Sequence, residues 1–313
     1  MSILAVGTVA FDSIETPRGN ADRVLGGSAT YICLAARFFA EQPRLVGVVG
    51  GDFPQKYQHL LAERGIDTAG LEVQEAGKTF YWAGRYHEDL NIRDTLTTEL
   101  NVLETFDPVL PANYKDSRII CLGNLDPGIQ RKVLDQASDP DFVVCDSMNF
   151  WIDHTLDSLL ETLKRVDCLM INDEEARQLA NHHNLIHAAR AIQELGPRVL
   201  IIKKGEHGAL LFNGDRVFAV PAVPLADIQD PTGAGDTFMG GFVGALASLG
   251  DFSDDSLRHA MVMGSAMASF VVERFGPERL VDLDADTIQE RIERFRELTR
   301  IPEYASGINV LAD

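Results

Sequence analysis

The segment DPTGAGDTFMGGF, Asp230 to Phe242, sets one carboxylate, Asp236, among small residues just before an apolar run of helical character. A helix start presents unpaired backbone N–H groups and a partial positive charge, and flanking glycines let a ligand reach the main chain. Three features coincide here: a strand-like run precedes the segment, Gly233, Ala234 and Gly235 carry almost no side chain, and a helix follows. Together they suit phosphoryl transfer, with successive N–H groups holding the phosphoryl charge while Asp236 orients an attacking hydroxyl. The same acid could instead be an ordinary N-cap of its own helix.

Further candidates follow other apolar runs. Asn172-Asp173-Glu174-Glu175 comes directly after the strand-like CLMI, where open α/β sheets present ligands. Asn172 and Glu175, three apart, share a face on a first helical turn and could organise the waters of a magnesium ion beside phosphates. A capped helix start would use the same residues. In KKGEHGA, Lys203 with Gly205 and Gly208 could meet phosphate or simply make a tight turn. Near the N-terminus, Asp12 follows the first strand, and Gly26-Gly27 opens GGSATYICLAARFF. Taken alone, these read as an exposed loop acid and a turn.

Several other chemistries are absent. No GxGxxG occurs, and the nearest P-loop lookalike, EVQEAGKT, has Glu72 where the first glycine should stand. His183 and His187 could share a helix face, but no acid occupies the HExxH position, so they read as surface residues.

The elements that position these residues alternate. Short β-rich runs (ILAVGTVA, RLVGVVG, RIICLG, FVVCDSM, CLMIND, RVLIIKKG, ALLFNG) are separated by helical patterns, which predicts a doubly wound α/β fold, mainly parallel, with helices on both faces. The helix of the DTFMGGFVGALASLG segment is expected to show an apolar stripe of Phe238, Phe242, Ala245, Leu246 and Leu249. Ser253 is its successor's expected N-cap. Gly77 to Glu104 breaks the rhythm: Phe80, Trp82 and Tyr86 alternate with Thr79, Tyr81 and Arg85, predicting a hairpin that turns near Glu88 to Asn91. A lone hairpin is unstable, so its aromatic face must cover a site, extend a sheet or meet another subunit.

The chain has 313 residues, 45% of them hydrophobic, enough for one large domain. Its net charge of −19 repels phosphate backbones and anionic membranes, so neither nucleic acid nor membrane is an expected partner. Cys33, Cys121, Cys145 and Cys168 are widely spaced without a CxxC pair, and the N-terminus lacks a basic leader. A soluble, cytoplasmic protein is expected.

In this order, GGSATYICLAARFF, VGVVGGDF, NDEE, KKGEHGA and DPTGAGDTFMGGF resemble the ribokinase-like (PfkB) carbohydrate kinases over nearly the whole length, 1–313. The resemblance implies ATP-dependent transfer of the γ-phosphoryl group to a hydroxymethyl of a sugar, nucleoside or related molecule. It implies Asp236 as catalytic base and Gly233, Ala234 and Gly235 as anion hole. Asn172 and Glu175 would organise Mg²⁺, the glutamate through water, and Lys203, Gly205 and Gly208 would line the nucleotide. Ser269, Phe275 and Gly276 would lie near the purine, and Asp230 and Thr232 would hold K⁺. Asp12, Gly26 and Gly27 would grip the acceptor. Residues 77–104 resemble the family's β lid, with 12–24 contributing, a lid that often pairs subunits into homodimers.

The departures bear on the acceptor. Tyr31 stands where the family commonly has a hydroxyl-binding Asn, and Ala10 where ribose-specific members have Asn. In CDSMNFW, Trp151 replaces the Arg of anion-binding relatives, which points to a neutral acceptor. Fewer polar and more aromatic contacts, at Tyr31, Trp82 and Phe80, suit stacking on a nucleobase, worth about 1–3 kcal/mol. The reading is an adenosine-like nucleoside kinase, with a free-sugar kinase and a non-catalytic nucleotide or nucleoside sensor as alternatives.

Overall fold

The computed structural model describes residues 1–300. Its strands are β1 (Ile3–Val6), β2 (Ala10–Thr16), β3 (Gly19–Gly26), β4 (Arg44–Gly50), β5 (Asp67–Gln74), β6 (Tyr81–Tyr86), β7 (Arg93–Glu99), β8 (Ile119–Leu122), β9 (Phe142–Asp146), β10 (Cys168–Asn172), β11 (Val199–Lys203), β12 (Ala209–Asn213) and β13 (Arg216–Val220). The helices are α1 (Ser28–Ala36), α2 (Gln55–Glu63), α3 (Pro127–Gln136), α4 (Asn149–His154), α5 (Leu156–Leu163), α6 (Asp173–Ala180), α7 (Leu185–Gln193), α8 (Ala234–Leu249), α9 (Asp254–Val271), α10 (Glu278–Asp282) and α11 (Ala285–Thr299).

Nine strands form one sheet in the order β13-β12-β11-β10-β9-β8-β1-β4-β5. It is parallel except where β12 and β13 turn back. Apolar residues alternate between two cores: Ile3 and Ala5 of β1 pack on one face, Leu4 and Val6 on the other. Burial on both faces is why these strands read as continuous apolar runs. The result is the doubly wound α/β arrangement that the alternation predicts. Chain order reverses at β1, between β8 and β4, which leaves a crevice beyond the strand ends.

Helix α8 departs from the predicted stripe. Thr237 through Ala247 are all buried, whereas Leu249 is exposed. Helices α1 and α9 flank it closely: a Cβ on Gly240 would lie 2.3 Å from the Ile32 carbonyl oxygen, and one on Gly241 2.9 Å from Met267 Cγ. The glycine pair therefore serves helix packing rather than ligand approach. Ser253 caps α9 as expected, its side chain accepting from the Ser256 N–H.

A second sheet, β3-β2-β6-β7, stands over the strand ends. The β6–β7 hairpin forms and turns over residues 87–92, where the His87 N–H donates to the Ile92 carbonyl at 3.1 Å. Strand β6 also runs parallel to β2, pairing Asp12 with Trp82. Asp52 ties the two sheets together at the base of this hairpin. It accepts from the Thr79 N–H and hydroxyl, both at 2.7 Å, and pairs with Arg23.

Candidate active site

Parallel pairing brings Asp146, Asn172 and Lys203, the last residues of β9, β10 and β11, to one edge of the large sheet. Lys203 Nζ lies 3.6 Å from Asp146 Oδ1, both side chains largely buried. The same Nζ is 2.8 Å from where a Cβ on Gly235 would stand, so the lysine joins the strand edge to the start of α8. Burial alone would lower the Lys203 pKa, yet Asp146, Glu175 and Asp236 around it hold it above its ordinary value. Asn172 and Glu175 form a reciprocal cap on α6: each accepts from the other's backbone N–H at 2.8 Å. Glu175 is nonetheless buried. Burial and then the Asp146 charge push its carboxyl to about 7, against the lowering effect of Lys203.

At the start of α8 the cap residue is Gly233, with φ 78°, and not Asp236, which is the helix's third residue. The left-handed backbone there favours glycine. Asp236 Oδ1 is buried without a hydrogen-bond partner among the described residues, so the acid is not spent on capping. Burial, followed by Asp146, pushes its pKa to about 7 while Lys203 and Arg93 pull it down. The three N–H groups of Gly233, Ala234 and Gly235 are not equivalent. The Ala234 N–H donates to the Pro231 carbonyl at 3.2 Å, closing a turn, whereas those of Gly233 and Gly235 have no acceptor among the described residues. The free donors are therefore the two glycines.

Asp12 is not the exposed loop acid that its isolated reading suggests. It lies within β2 and is 5% exposed, because β3 and β6 pair on either side of it. Its carboxylate reaches Gly26 so closely that a Cβ there would meet Oδ2 at 1.9 Å, which requires glycine. Gly27, with φ 96°, opens α1, and its N–H helps to hold the Asp12 charge. Burial first, then Asp230 and Asp236, raise the Asp12 carboxyl to about 8. Folded Asp12 thus binds its proton more tightly than the unfolded chain, and ionisation destabilises the fold as pH rises from the unfolded value toward 8. Asp12→Asn is therefore expected to raise the Tm of the ligand-free protein by about 2–6 °C at pH 8, and by less at pH 5. Differential scanning fluorimetry at both pH values checks this; an equal gain at both would remove the electrostatic explanation.

Tyr31 also departs from expectation. Its ring is 1% exposed, too buried to offer a face to a nucleobase. Trp82 is half-buried in the smaller sheet, its indole N–H 3.4 Å from the Thr95 hydroxyl and the Arg93 guanidinium 5.7 Å from its ring centre. Trp151 donates to Asn124 at 2.8 Å.

Gly205, φ 54°, and Gly208, φ 80°, form the turn after β11, and a Cβ on Gly205 would lie 2.1 Å from Asn91 Oδ1 at the tip of the β6–β7 hairpin. The hairpin thus reaches across to the Lys203–Gly208 turn, while its Tyr86 hydroxyl lies 3.1 Å from Thr232 Oγ1. Asp230 is fully buried and accepts from the Thr232 N–H at 2.8 Å and the Gly276 N–H at 3.0 Å, with no ion-pair partner among the described residues. Phe275 and Gly276 consequently pack against Asp230 and the β2–β3 hairpin, at Gly19 and Val24. Ser269 is committed to structure, donating to Ala266 and accepting from Arg291, both at 2.6 Å. His183 and His187 are exposed, as expected.

Asp146 and Arg93 are the site residues missing from the sequence reading. Asp146 has a legible signal, since it ends the FVVCD run as Asn172 ends CLMIN. Arg93 has none. It sits in the polar strand RDTLTTE, and only its register opposite Tyr86 places its charge near Asp146, Glu175 and Asp236.

Comparison with known proteins accords with this arrangement. The model of the pfkB family carbohydrate kinases matches residues 3–282. The chain is 28% identical over 249 residues to the cytidine kinase of Thermococcus kodakarensis, covering 78% of this chain and 87% of that protein. It is 30% identical over 317 residues to the nucleoside kinase of Methanothermobacter thermautotrophicus, covering 88% and 91%. The crystal structure of Methanocaldococcus jannaschii nucleoside kinase, a member of the ribokinase family, shares the fold with a TM-score of 0.75 at 22% identity, over 94% of this chain and 99% of that one. A family match over nearly the whole chain means that the chain belongs to the pfkB family of carbohydrate kinases, sugar or nucleoside phosphotransferases that use ATP.

Proposed function

We propose that the protein is a nucleoside kinase that transfers the γ-phosphoryl group of ATP to the 5′-hydroxymethyl of its acceptor. The observation that carries the chemistry is the unpartnered Asp236 Oδ1 beside the free N–H groups of Gly233 and Gly235. Asp236 would accept the acceptor's hydroxyl proton as that oxygen bonds to the γ-phosphorus and the bond to the bridging oxygen breaks, releasing ADP. Phosphoryl transfer has a loose transition state, so positioning and charge stabilisation matter more than a strong base. Lys203 and Arg93 supply the nearby positive charge.

The oxygen donors Asp146 and Glu175 fit Mg²⁺ held largely through water; no cluster of three or more metal-binding side chains occurs among the described residues. When bound, the ion would offset phosphate charge. Asp230, a buried carboxylate without a cationic partner, fits K⁺ with Thr232 beside it. The smaller sheet would act as a lid, with residues 77–104 and 12–24 excluding water once the acceptor is in place. Strand β7, exposed along its length, would offer a second copy an edge for a homodimer.

The nucleoside assignment is supported by the cytidine and nucleoside kinases among the relatives and by Trp82, in register with Asp12. It is tested by ADP release with Mg·ATP and cytidine, adenosine, inosine, guanosine, ribose or fructose, with and without K⁺. Turnover with nucleosides but not ribose is expected. Turnover with free sugar alone would transfer the same machinery to a sugar kinase, and binding without turnover would leave a sensor.

A further inference from the structure

Tyr31 occupies an unusual position between the two halves of the site. It lies in α1, four residues beyond Gly27, with its ring 1% exposed. A Cβ on Gly233 would stand 2.5 Å from its Cζ and 2.6 Å from both Cε1 and Cε2, so one ring face lies directly against the cap residue of α8. Its hydroxyl is buried and has no hydrogen-bond partner among the described residues. A buried phenol without a partner is costly, and such a group calls for a physical explanation. Asp12, Asp230, Asp236 and Tyr86 are the ionisable groups around it.

We propose that Tyr31 is a positioning residue that couples acceptor binding to the anion hole: its ring holds Gly233 in place, and its hydroxyl receives its missing partner from the acceptor. The inference rests on the assignment of Gly233 and Gly235 as phosphoryl-binding donors. Packing is a sufficient means. Gly233 has no side chain to anchor it, and its backbone conformation is left-handed, so a rigid ring limits where its N–H can point. A flexible or smaller side chain would leave that donor free to move, and donors displaced from the transition state lose most of their value. The large aromatic residue is thus explained without base stacking.

The test compares Tyr31→Phe, Tyr31→Leu and Tyr31→Met in steady-state kinetics, with cytidine as acceptor or whichever compound the acceptor panel identifies. Tyr31→Phe keeps the ring, so kcat should stay within about threefold while the acceptor KM rises about 5–20-fold. Tyr31→Leu should lower kcat about 10–100-fold. Tyr31→Met also lacks a rigid ring, but its unbranched, flexible chain can fill an irregular gap, so it should show the same kcat loss even if the leucine variant folds poorly. Deoxy analogues of the acceptor provide a readout that a purely structural role would not move: for one of them, the KM penalty of Tyr31→Phe should vanish. Equal kcat loss in the phenylalanine and methionine variants, or full kcat in a folded methionine variant, would overturn the proposal. So would an unchanged acceptor KM in Tyr31→Phe. Failure of the underlying anion-hole assignment appears separately, as undiminished turnover in Gly235→Pro, which removes one of the two N–H donors in the first turn of α8.

Discussion

Asp236→Asn is expected to lower kcat by about 10²–10⁴-fold while ATP affinity stays within about threefold, the usual worth of a positioned general base. The amide is nearly isosteric and retains the hydrogen-bonding reach of the side chain, but it cannot take the acceptor's proton. The same group should set the acid limb of the pH profile. Burial and the Asp146 charge bring the Asp236 carboxyl to about 7, so the reactive carboxylate predominates above that pH and is lost below it. In the wild type, kcat/KM should therefore fall about tenfold per pH unit below about 7. In the asparagine variant the residual rate should lose that limb. Single-turnover measurements from pH 5 to 9 check both statements, and an acid limb that persists in the variant would assign it to another group.

Lys203→Met is expected to have the second largest effect, lowering kcat/KM by about 10²–10³-fold. Its ammonium lies 3.6 Å from Asp146 and reaches the backbone at Gly235, among the carboxylates of Asp146, Glu175 and Asp236. Removing it leaves buried negative charge uncompensated, a loss that costs about 3–5 kcal/mol when one partner of a buried pair is deleted. Because Lys203 lowers the Asp236 pKa, its loss should raise that pKa and move the acid limb toward alkaline pH. The variant should also lose more stability at pH 8 than at pH 6, since more of the carboxylates are ionised there. Denaturant midpoints at the two pH values, measured alongside the rate profile, test this. An acid limb at its original pH would show that the lysine does not act on Asp236.

These expectations rest on residues of differing legibility. Asp236, Gly233 and Gly235 were readable because a glycine-rich stretch before an apolar helix is a local pattern, and local patterns survive in one dimension. Asn172 and Lys203 were readable for a related reason: each ends an apolar run, and strand ends of parallel sheets converge. Asp146 belongs to the same set, since it ends the apolar run of β9 at the same sheet edge. The predicted stripe on α8 failed because small residues allowed α1 and α9 to close over it, a packing that helical periodicity does not express. Stacking on Tyr31 failed for the converse reason: the side chain's identity was plain, but its surroundings were not.

What the sequence determined by itself was the alternation of elements, hence a doubly wound sheet, and the order in which chemically capable residues meet its edge. Those properties follow from periodicity and chain direction, which short-range sterics and burial impose. Tertiary structure alone decided that Asp12 is buried between paired strands, that Arg93 faces the acids from a polar hairpin, and that Tyr31 lies against Gly233. Each depends on register or close packing between segments distant in the chain. A single-residue shift in strand pairing would turn Asp12 or Arg93 to the opposite face without changing any local pattern.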